Sequence, residues 1–524
     1  MCEGVTSHFP YPKYRPGQLD LIRIICESIQ DKGIHAIEAP NGIGKTSSIL
    51  TNVAYYVKRG LIDGFVYLVR THRQIERVLD ELSHFNLKVA PLRGKGELCL
   101  MGFAKDEVYE ACNTAKRSGE CPFNRQVDYE GAPLRLQELV KRSLLLKTCP
   151  YYWSLRRLRQ AELVIAPINY LLEEEPWKVL SGWLEGREVV LVVDEAHNLS
   201  RHLIGSQVRR LDLDFLISEE IKKAGVDFIE IPRKYAQEAL GLKLNGRIFV
   251  DSEGNALILS DMPDRRDRLR SFYATILVSG TWGPDRLVSK EVGVRLSVKR
   301  VTPDWGSKVR VLVTEDLTTK YSERKYSLRM IYEMLVGVIN SLEGNVGVFT
   351  PSYDMLEYFR EMGLEDHVDK PVYFENDSYS LEEFKSMADR GGAVLLGVQS
   401  GRISEGVDFP GNEMIASIVV GLQLPKPGLE QKLRRFVELS LFGEDREIEL
   451  LHAVRAASQA AGRCVRGPDD VGFIVLADYR FLIDRVRSML PYWILSKMTP
   501  VTSEEVPKLA KSFKRLIRNV RSRP

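Results

Sequence analysis

Eight consecutive residues constrain this chain more than anything else in it: Ala39-Pro40-Asn41-Gly42-Ile43-Gly44-Lys45-Thr46. A short apolar strand (Ile34, Ala36, Ile37) leads into them, and residues 47–57 continue with the apolar spacing of a buried helix. A loop of this composition, held between a strand and a helix, is built to bind phosphate. Gly42 and Gly44 let backbone N–H groups turn inward around phosphate oxygens at the positive end of the helix. Lys45 is placed to reach β- and γ-phosphates, and the Thr46 hydroxyl to meet Mg2+. Ala39 stands where such loops usually have their first glycine. The fold such a loop belongs to is an open parallel sheet whose strand ends gather at one edge.

The rest of the chain supplies that sheet twice. Residues 64–69, 163–166 and 189–193 are short apolar strands, and 74–82 is an amphipathic helix. The pattern recurs with strands at 345–349, 393–397, 416–421 and 472–476, separated by helical stretches such as 329–341 and 353–362. The expected fold class is therefore α/β, with two parallel-sheet units covered by helices on both faces. Two segments of different character interrupt the first unit. One is 99–149, which carries most of the cysteines. The other is 201–245, with helix-like pieces at 211–223 and 235–242. Residues 247–259 read as a hairpin turning at Ser252-Glu253-Gly254-Asn255. From Ser503 onward Val506, Leu509, Ala510, Phe513, Leu516, Ile517 and Val520 fall on one helical face.

Composition excludes several classes. With 44% apolar and 28% charged residues the chain is neither disordered nor a small disulfide scaffold. No apolar run reaches the roughly 18 residues of a membrane span, and Met1-Cys2-Glu3-Gly4-Val5 lacks the features of a signal peptide. The expectation is a cytoplasmic protein with no membrane partner. The net charge of +3 decides nothing about nucleic acid. Local charge says more: eight Lys/Arg against two Glu over 497–524, and eleven against seven acidic residues over 99–160. Such patches hold phosphates or are simply solvated faces.

A second chemical element is Val192-Val193-Asp194-Glu195-Ala196-His197. The apolar strand delivers Asp194 to the carboxyl edge of the sheet, where it can hold the water shell of Mg2+. Glu195 can orient and deprotonate an attacking water, and His197 can sense the γ-phosphate. A third is Gln459-Ala460-Ala461-Gly462-Arg463-Cys464-Val465-Arg466. Arg463 and Arg466, three apart, share a helical face and can stabilise charge on a phosphate as arginine fingers do. Upstream, Glu405 and Asp408 of Gly401-Arg402-Ile403-Ser404-Glu405-Gly406-Val407-Asp408-Phe409 are suited to coupling nucleotide state to a nucleic-acid track.

Seven cysteines, an odd count, argue against a disulfide framework. Cys99, Cys112, Cys121 and Cys149 lie together, at gaps of 12, 8 and 27 residues, whereas Cys2, Cys26 and Cys464 lie far from them. The gaps do not suit a zinc ribbon, which prefers paired Cys-x-x-Cys. An iron–sulfur cluster, zinc and free thiols are the readings open for the four.

The ordered set of motifs resembles the XPD/DinG family of iron–sulfur superfamily 2 DNA helicases, in an archaeal XPD-like form. The matching pieces are Arg15-Pro16-Gly17-Gln18, the phosphate loop, Arg70-Thr71-His72, Asp194-Glu195-Ala196-His197, Ser279-Gly280-Thr281, Phe349-Thr350-Pro351-Ser352-Tyr353, 404–409 and 459–466. The resemblance implies two RecA-like motor domains and ATP hydrolysis with 5′-to-3′ movement on single-stranded DNA. By that likeness Lys45, Asp194, Glu195, Arg463 and Arg466 are catalytic, and Gln18, Gly42, Gly44, Thr46 and Gln459 also bind ATP or its Mg2+. Cys99, Cys112, Cys121 and Cys149 would hold a 4Fe-4S cluster, and Cys149-Pro150-Tyr151-Tyr152 is similar to the family's closing cysteine. Arg70, Thr71, Ser352 and Tyr353 would follow the DNA strand. Lys116, Arg117, Arg125, Arg156 and Arg157 would grip DNA where the duplex parts, with stacking by some of Tyr129, Tyr151, Tyr152 and Trp153.

The implied layout is motor domain 1 in three pieces (1–98, 150–200, 246–300), a cluster domain (99–149), a reduced Arch-like insertion (201–245) and motor domain 2 (301–524). The substrate would be single-stranded or forked duplex DNA. DNA-repair or single-strand-binding proteins would be further partners, and the chain a monomer. Trp282 stands where the family usually has Leu. Two other classes fit the same residues: a DNA-stimulated ATPase that remodels protein–DNA complexes without unwinding, and a DNA-bound redox sensor.

Overall fold

The structure, a computed structural model, describes residues 2–104, 107–125, 132–199, 208–211, 228–231, 247–251, 256–259, 264–302, 308–378, 381–401, 403, 407, 409, 411–425, 431, 447–465 and 470–521. The apolar runs become parallel strands buried on both faces, which is why they show no alternation of apolar and polar residues. In the first half these are β1 (Gly33–Glu38), β2 (Gly64–Val69), β3 (Val89–Pro91), β4 (Leu163–Pro167) and β5 (Val189–Val193). An insertion contributes β6 (Val208–Leu211), β7 (Phe228–Ile231), β8 (Arg247–Asp251) and β9 (Ala256–Leu259). The chain then returns with β10 (Ala274–Ser279) and β11 (Val298–Arg300). The first sheet runs β11-β1-β10-β5-β2-β4-β3, with every pair parallel.

The second sheet is built alike. Its strands are β12 (Val309–Thr314), β13 (Val346–Thr350), β14 (Val372–Phe374), β15 (Val394–Val398), β16 (Ala416–Val419), β17 (Gly472–Leu476) and β18 (Met498–Val501), in the order β14-β15-β13-β16-β17-β12-β18. All pairs are parallel. The period of two divides each strand between two cores: Leu312, Val394 and Leu396 enter one, Val311, Val313 and Leu395 the other.

The helices that matter for function are α1 (Gln18–Asp31), α2 (Lys45–Lys58), α3 (His72–Glu81), α4 (Asp285–Val292), α5 (Glu447–Ala461) and α6 (Glu505–Arg521). On α6, Val506, Ala510 and Phe513 are buried as their spacing requires. Among the described residues no helix is long and apolar enough to cross a membrane.

Three features depart from expectation. The described part of the insertion forms a four-stranded antiparallel sheet, β6-β9-β8-β7. The helix-like pieces 212–223 and 235–242 lie outside the described residues. The 247–259 hairpin does form, with Arg247 opposite Leu259, but it pairs with β6 and β7. The insertion's sheet therefore extends through Leu259, past 245. Second, the chain divides into two compact units, and Thr281–Gly293 belongs to the second although its flanks Arg265–Gly280 and Val294–Pro303 belong to the first. Leu287 of α4 is buried in the second unit's core. Third, Cys2 and Cys26 form a disulfide across a separation of 24 residues, so the odd cysteine count misled. The bond pins the N-terminal turn to α1, a proximity created by tertiary packing alone.

Candidate functional site

The phosphate loop leaves β1 and opens α2 with Gly44 in the left-handed region (φ 89°), a conformation that costs a side-chain-bearing residue steric strain. The Lys45 ammonium donates to Asn41 Oδ1 (2.8 Å) and to the Ala39 carbonyl (3.4 Å), and pairs with Glu195 Oε1 at 3.4 Å. The first two elements singled out in the sequence thus meet at one sheet edge. Asp194 and Glu195 follow β5, and β10 separates β5 from β1.

Asp194 accepts from the Tyr67 hydroxyl (3.2 Å) and from the Glu195 N–H (2.9 Å). Burial and the neighbouring Glu195 charge push its pKa up to about 6, against the pull of Lys45. Burial and the Asp194 charge push the phenol of Tyr67, from β2, well above its ordinary pKa while the Thr46 side chain pulls it down, so one phenol neighbours the two residues expected at Mg2+. Nothing in its apolar strand marked Tyr67 beforehand. Glu195 is one of three non-glycine residues with positive φ (50°) among the described residues, a strained backbone of the kind that gathers at functional sites. His197 is buried between Ser279 Oγ (2.7 Å) and Glu195 Oε2 (3.4 Å).

Gln18 is nearly inaccessible. Its Oε1 accepts from the Arg15 N–H (2.9 Å), and its Nε2 donates to Ser47 Oγ (2.9 Å) and the Gly44 carbonyl (3.3 Å). Arg15 reaches the Gly42 carbonyl at 2.8 Å. The segment upstream of α1 therefore buttresses the loop directly.

In the second unit, Gln459 lies on α5 and Arg463 in the turn Gly462–Cys464 that ends it. Arg463 is buried and donates to the Val407 carbonyl, so the two motifs on either side of β16 meet. Arg466, Glu405 and Asp408 lie outside the described residues.

Arg70 and Thr71 are exposed at the end of β2, where Thr71 and Gln74 form a capping box at the start of α3. Ser352 caps the helix Tyr353–Glu361, and Tyr353 is exposed. These are positions from which a backbone track can be contacted.

The four cysteines have the right chemistry for a cluster. All are free thiols, Cys112 buried and the others partly so. Burial raises the Cys149 thiol pKa, and the charges of Cys112 and Cys121 add to that, so three of the four share one field. An isolated bridge between Asn124 and Thr148 draws the segments of Cys121 and Cys149 together. No three His, Cys, Asp or Glu side chains among the described residues form a closed ligand group. Tyr151 and Trp153 are buried in the small core of this segment, so their role is packing. Arg157 is spent on the Ala132 carbonyl. Tyr129 lies outside the described residues.

Residues 67–214 match the DEAD_2 family and residues 335–497 the helicase C-terminal domain. The ATP-dependent DNA helicase XPD of Sulfolobus acidocaldarius is 24% identical over 550 residues, covering 90% of this chain and 96% of that protein. A regulator of telomere elongation helicase 1 homolog of Drosophila melanogaster is 22% identical over 725 residues, covering 94% and 73%. A solved XPD helicase superposes with a TM-score of 0.68 at 20% identity, over 94% of this chain and all of that one. Xpd4 of S. tokodaii gives 0.55 at 14% identity, over 93% and 99%; both are likenesses of fold. With two helicase family matches falling in motif order on two parallel-sheet units, the chain belongs to the XPD/DinG-type superfamily 2 helicases.

Proposed function

We propose that the chain is an ATP-dependent DNA helicase that moves 5′-to-3′ along single-stranded DNA and separates duplex at a fork, in DNA repair. The convergence of Lys45, Thr46, Asp194 and Glu195 at one edge of the first sheet carries this reading. In it Lys45 binds the β- and γ-phosphates of ATP, and Thr46 and Asp194 hold Mg2+. Glu195 takes the proton of the attacking water. Gly42 and Gly44 cradle phosphates, while Gln18 and Gln459 position the nucleotide. Arg463 and Arg466 supply the positive charge that the γ-phosphate needs in the transition state. Arg70, Thr71, Ser352 and Tyr353 contact the DNA strand.

Cys99, Cys112, Cys121 and Cys149 would hold a 4Fe-4S cluster, which would supply a covalent cross-link to a segment whose own core is small. The protein works as a cytoplasmic monomer, with repair or single-strand-binding proteins as partners. Lys45→Ala tests the reading: ATP hydrolysis is abolished while single-stranded DNA binding remains. DNA-stimulated hydrolysis by that variant would overturn the site assignment. The small size of the Arch-like insertion favours a second reading, remodelling of protein–DNA complexes without unwinding. Protein-displacement and duplex-unwinding assays run side by side separate the two.

A further inference from the structure

We propose that Arg455 is a positioning residue for ATP hydrolysis: it locks the helix carrying Gln459 and Arg463 onto the chain segment that leaves the phosphate-binding sheet after Ser279. The inference rests on the ATPase reading above and adds to it what holds the helix of Gln459 and Arg463 in place.

On α5, His452, Arg455 and Gln459 are spaced i, i+3, i+7 and share one face, and Arg463 follows four residues later in the terminal turn. Arg455 is 3% exposed. Its Nε and Nη2 donate to the Trp282 carbonyl at 3.1 and 2.7 Å. Its Nη1 and Nη2 donate to the two Glu291 oxygens at 2.9 and 2.6 Å. His452 Nε2 lies 2.9 Å from Glu291 Oε1. Glu291 is fully buried; burial alone would raise its pKa, but the Arg455 charge holds it well below the usual carboxylate range. The guanidinium fork thus grips a backbone carbonyl with one edge and a carboxylate with the other, a geometry that lysine cannot reproduce. Gly283 (φ +88) lies so close to α5 that a Cβ there would stand 2.5 Å from Leu451 Cδ1.

Ser279 is bonded to His197, which contacts Glu195. A Cβ on Gly280 would lie 3.5 Å from Asn41 Oδ1 and 3.8 Å from the Lys45 ammonium. Residues 279–280 therefore border the nucleotide loop, and residue 282 is held by the second unit. Thr281 alone intervenes, so the covalent link between them is a single residue long. The segment that begins at Thr281 is thus tied to α5, and with it to Gln459 and Arg463, through the Trp282 carbonyl and Glu291.

A buried ion pair is commonly replaced by apolar residues of similar volume without loss of folding. The test uses that fact. In full-length R455M/E291M we expect an unchanged circular dichroism spectrum and unchanged affinity for a fluorescent ATP analogue. The kcat of DNA-stimulated hydrolysis should fall on the order of 100-fold, the scale of a small misplacement at a reacting centre. Arg455→Lys should lower kcat to a lesser degree with KM unchanged. Wild-type turnover in the double variant would overturn the proposal. So would loss of nucleotide binding or of fold in parallel with turnover in both variants, since Arg455 would then be purely structural. A wild-type protein whose turnover DNA does not raise would instead refute the helicase reading itself.

Discussion

Gly44→Ala tests the phosphate loop by its backbone. At φ 89° a Cβ in the left-handed region costs roughly 1–2 kcal/mol. The new methyl would also stand 2.1 Å from Gln18 Nε2 and 2.9 Å from its Cδ. Gln18 is buried and must swing away, giving up its bonds to Ser47 Oγ, the Gly44 carbonyl and the Arg15 N–H. At about 1 kcal/mol per bond, partly regained from water, the combined penalty approaches about 4 kcal/mol. The loop relaxes to escape it, and binding must then restore the strained form. ATP affinity should therefore weaken roughly 10-fold from strain alone and approach 1000-fold with the Gln18 term. Titration with a fluorescent nucleotide measures this. Repeating it in a Gln18→Ala background separates the terms, since there Gly44→Ala should cost only the backbone strain. Gly33→Ala is the control: φ is +73°, nothing lies within 4 Å of its Cβ, and nucleotide affinity should not move. Wild-type affinity in Gly44→Ala, or an equal deficit with and without Gln18, would refute the reasoning.

Other outcomes follow from the same structure. Lys370 donates to the Leu342 and Gly344 carbonyls, and burial lowers its pKa from 10.5 to about 8. Between those values the unfolded chain binds the extra proton, so the second unit should gain about 3 kcal/mol of stability as pH rises through that window. Urea unfolding should show the slope in wild type and its absence in Lys370→Met. Cys2→Ser opens a loop of 24 residues and should cost about 3 kcal/mol; reductant should lower the melting temperature of wild type and leave the variant unmoved. Cys121→Ser, purified anaerobically, should lose iron and duplex unwinding while keeping ATPase activity. Full unwinding by the iron-free variant would sink the cluster proposal.

The parts of the site that share a stretch of sequence could be read there. The phosphate loop and the Asp194-Glu195 pair each sit at the end of an apolar strand, and parallel pairing must bring such ends to one edge. Tyr67 could not be read, because an aromatic residue in a buried strand is ordinary and its hydroxyl gains meaning only from β5 beside it. The antiparallel sheet of the insertion could not be read for a related reason. Outside the 247–259 hairpin its strands are short and recruit partners about twenty or more residues away, a pairing that leaves no local period. The same holds for Cys2 with Cys26 and for α4, whose apolar stripe at Leu287, Val288 and Val292 would suit either unit's core.

The strand order has a consequence for biosynthesis. β1, which presents the phosphate loop, has only β10 and β11 as neighbours, and both are translated more than two hundred residues after it. A nascent chain halted before Ala274 carries every residue of the loop yet offers β1 no hydrogen-bonded companion on either side. Nucleotide capture should therefore switch on abruptly as ribosomal synthesis passes that point, and fragments truncated within the insertion should be blind to ATP.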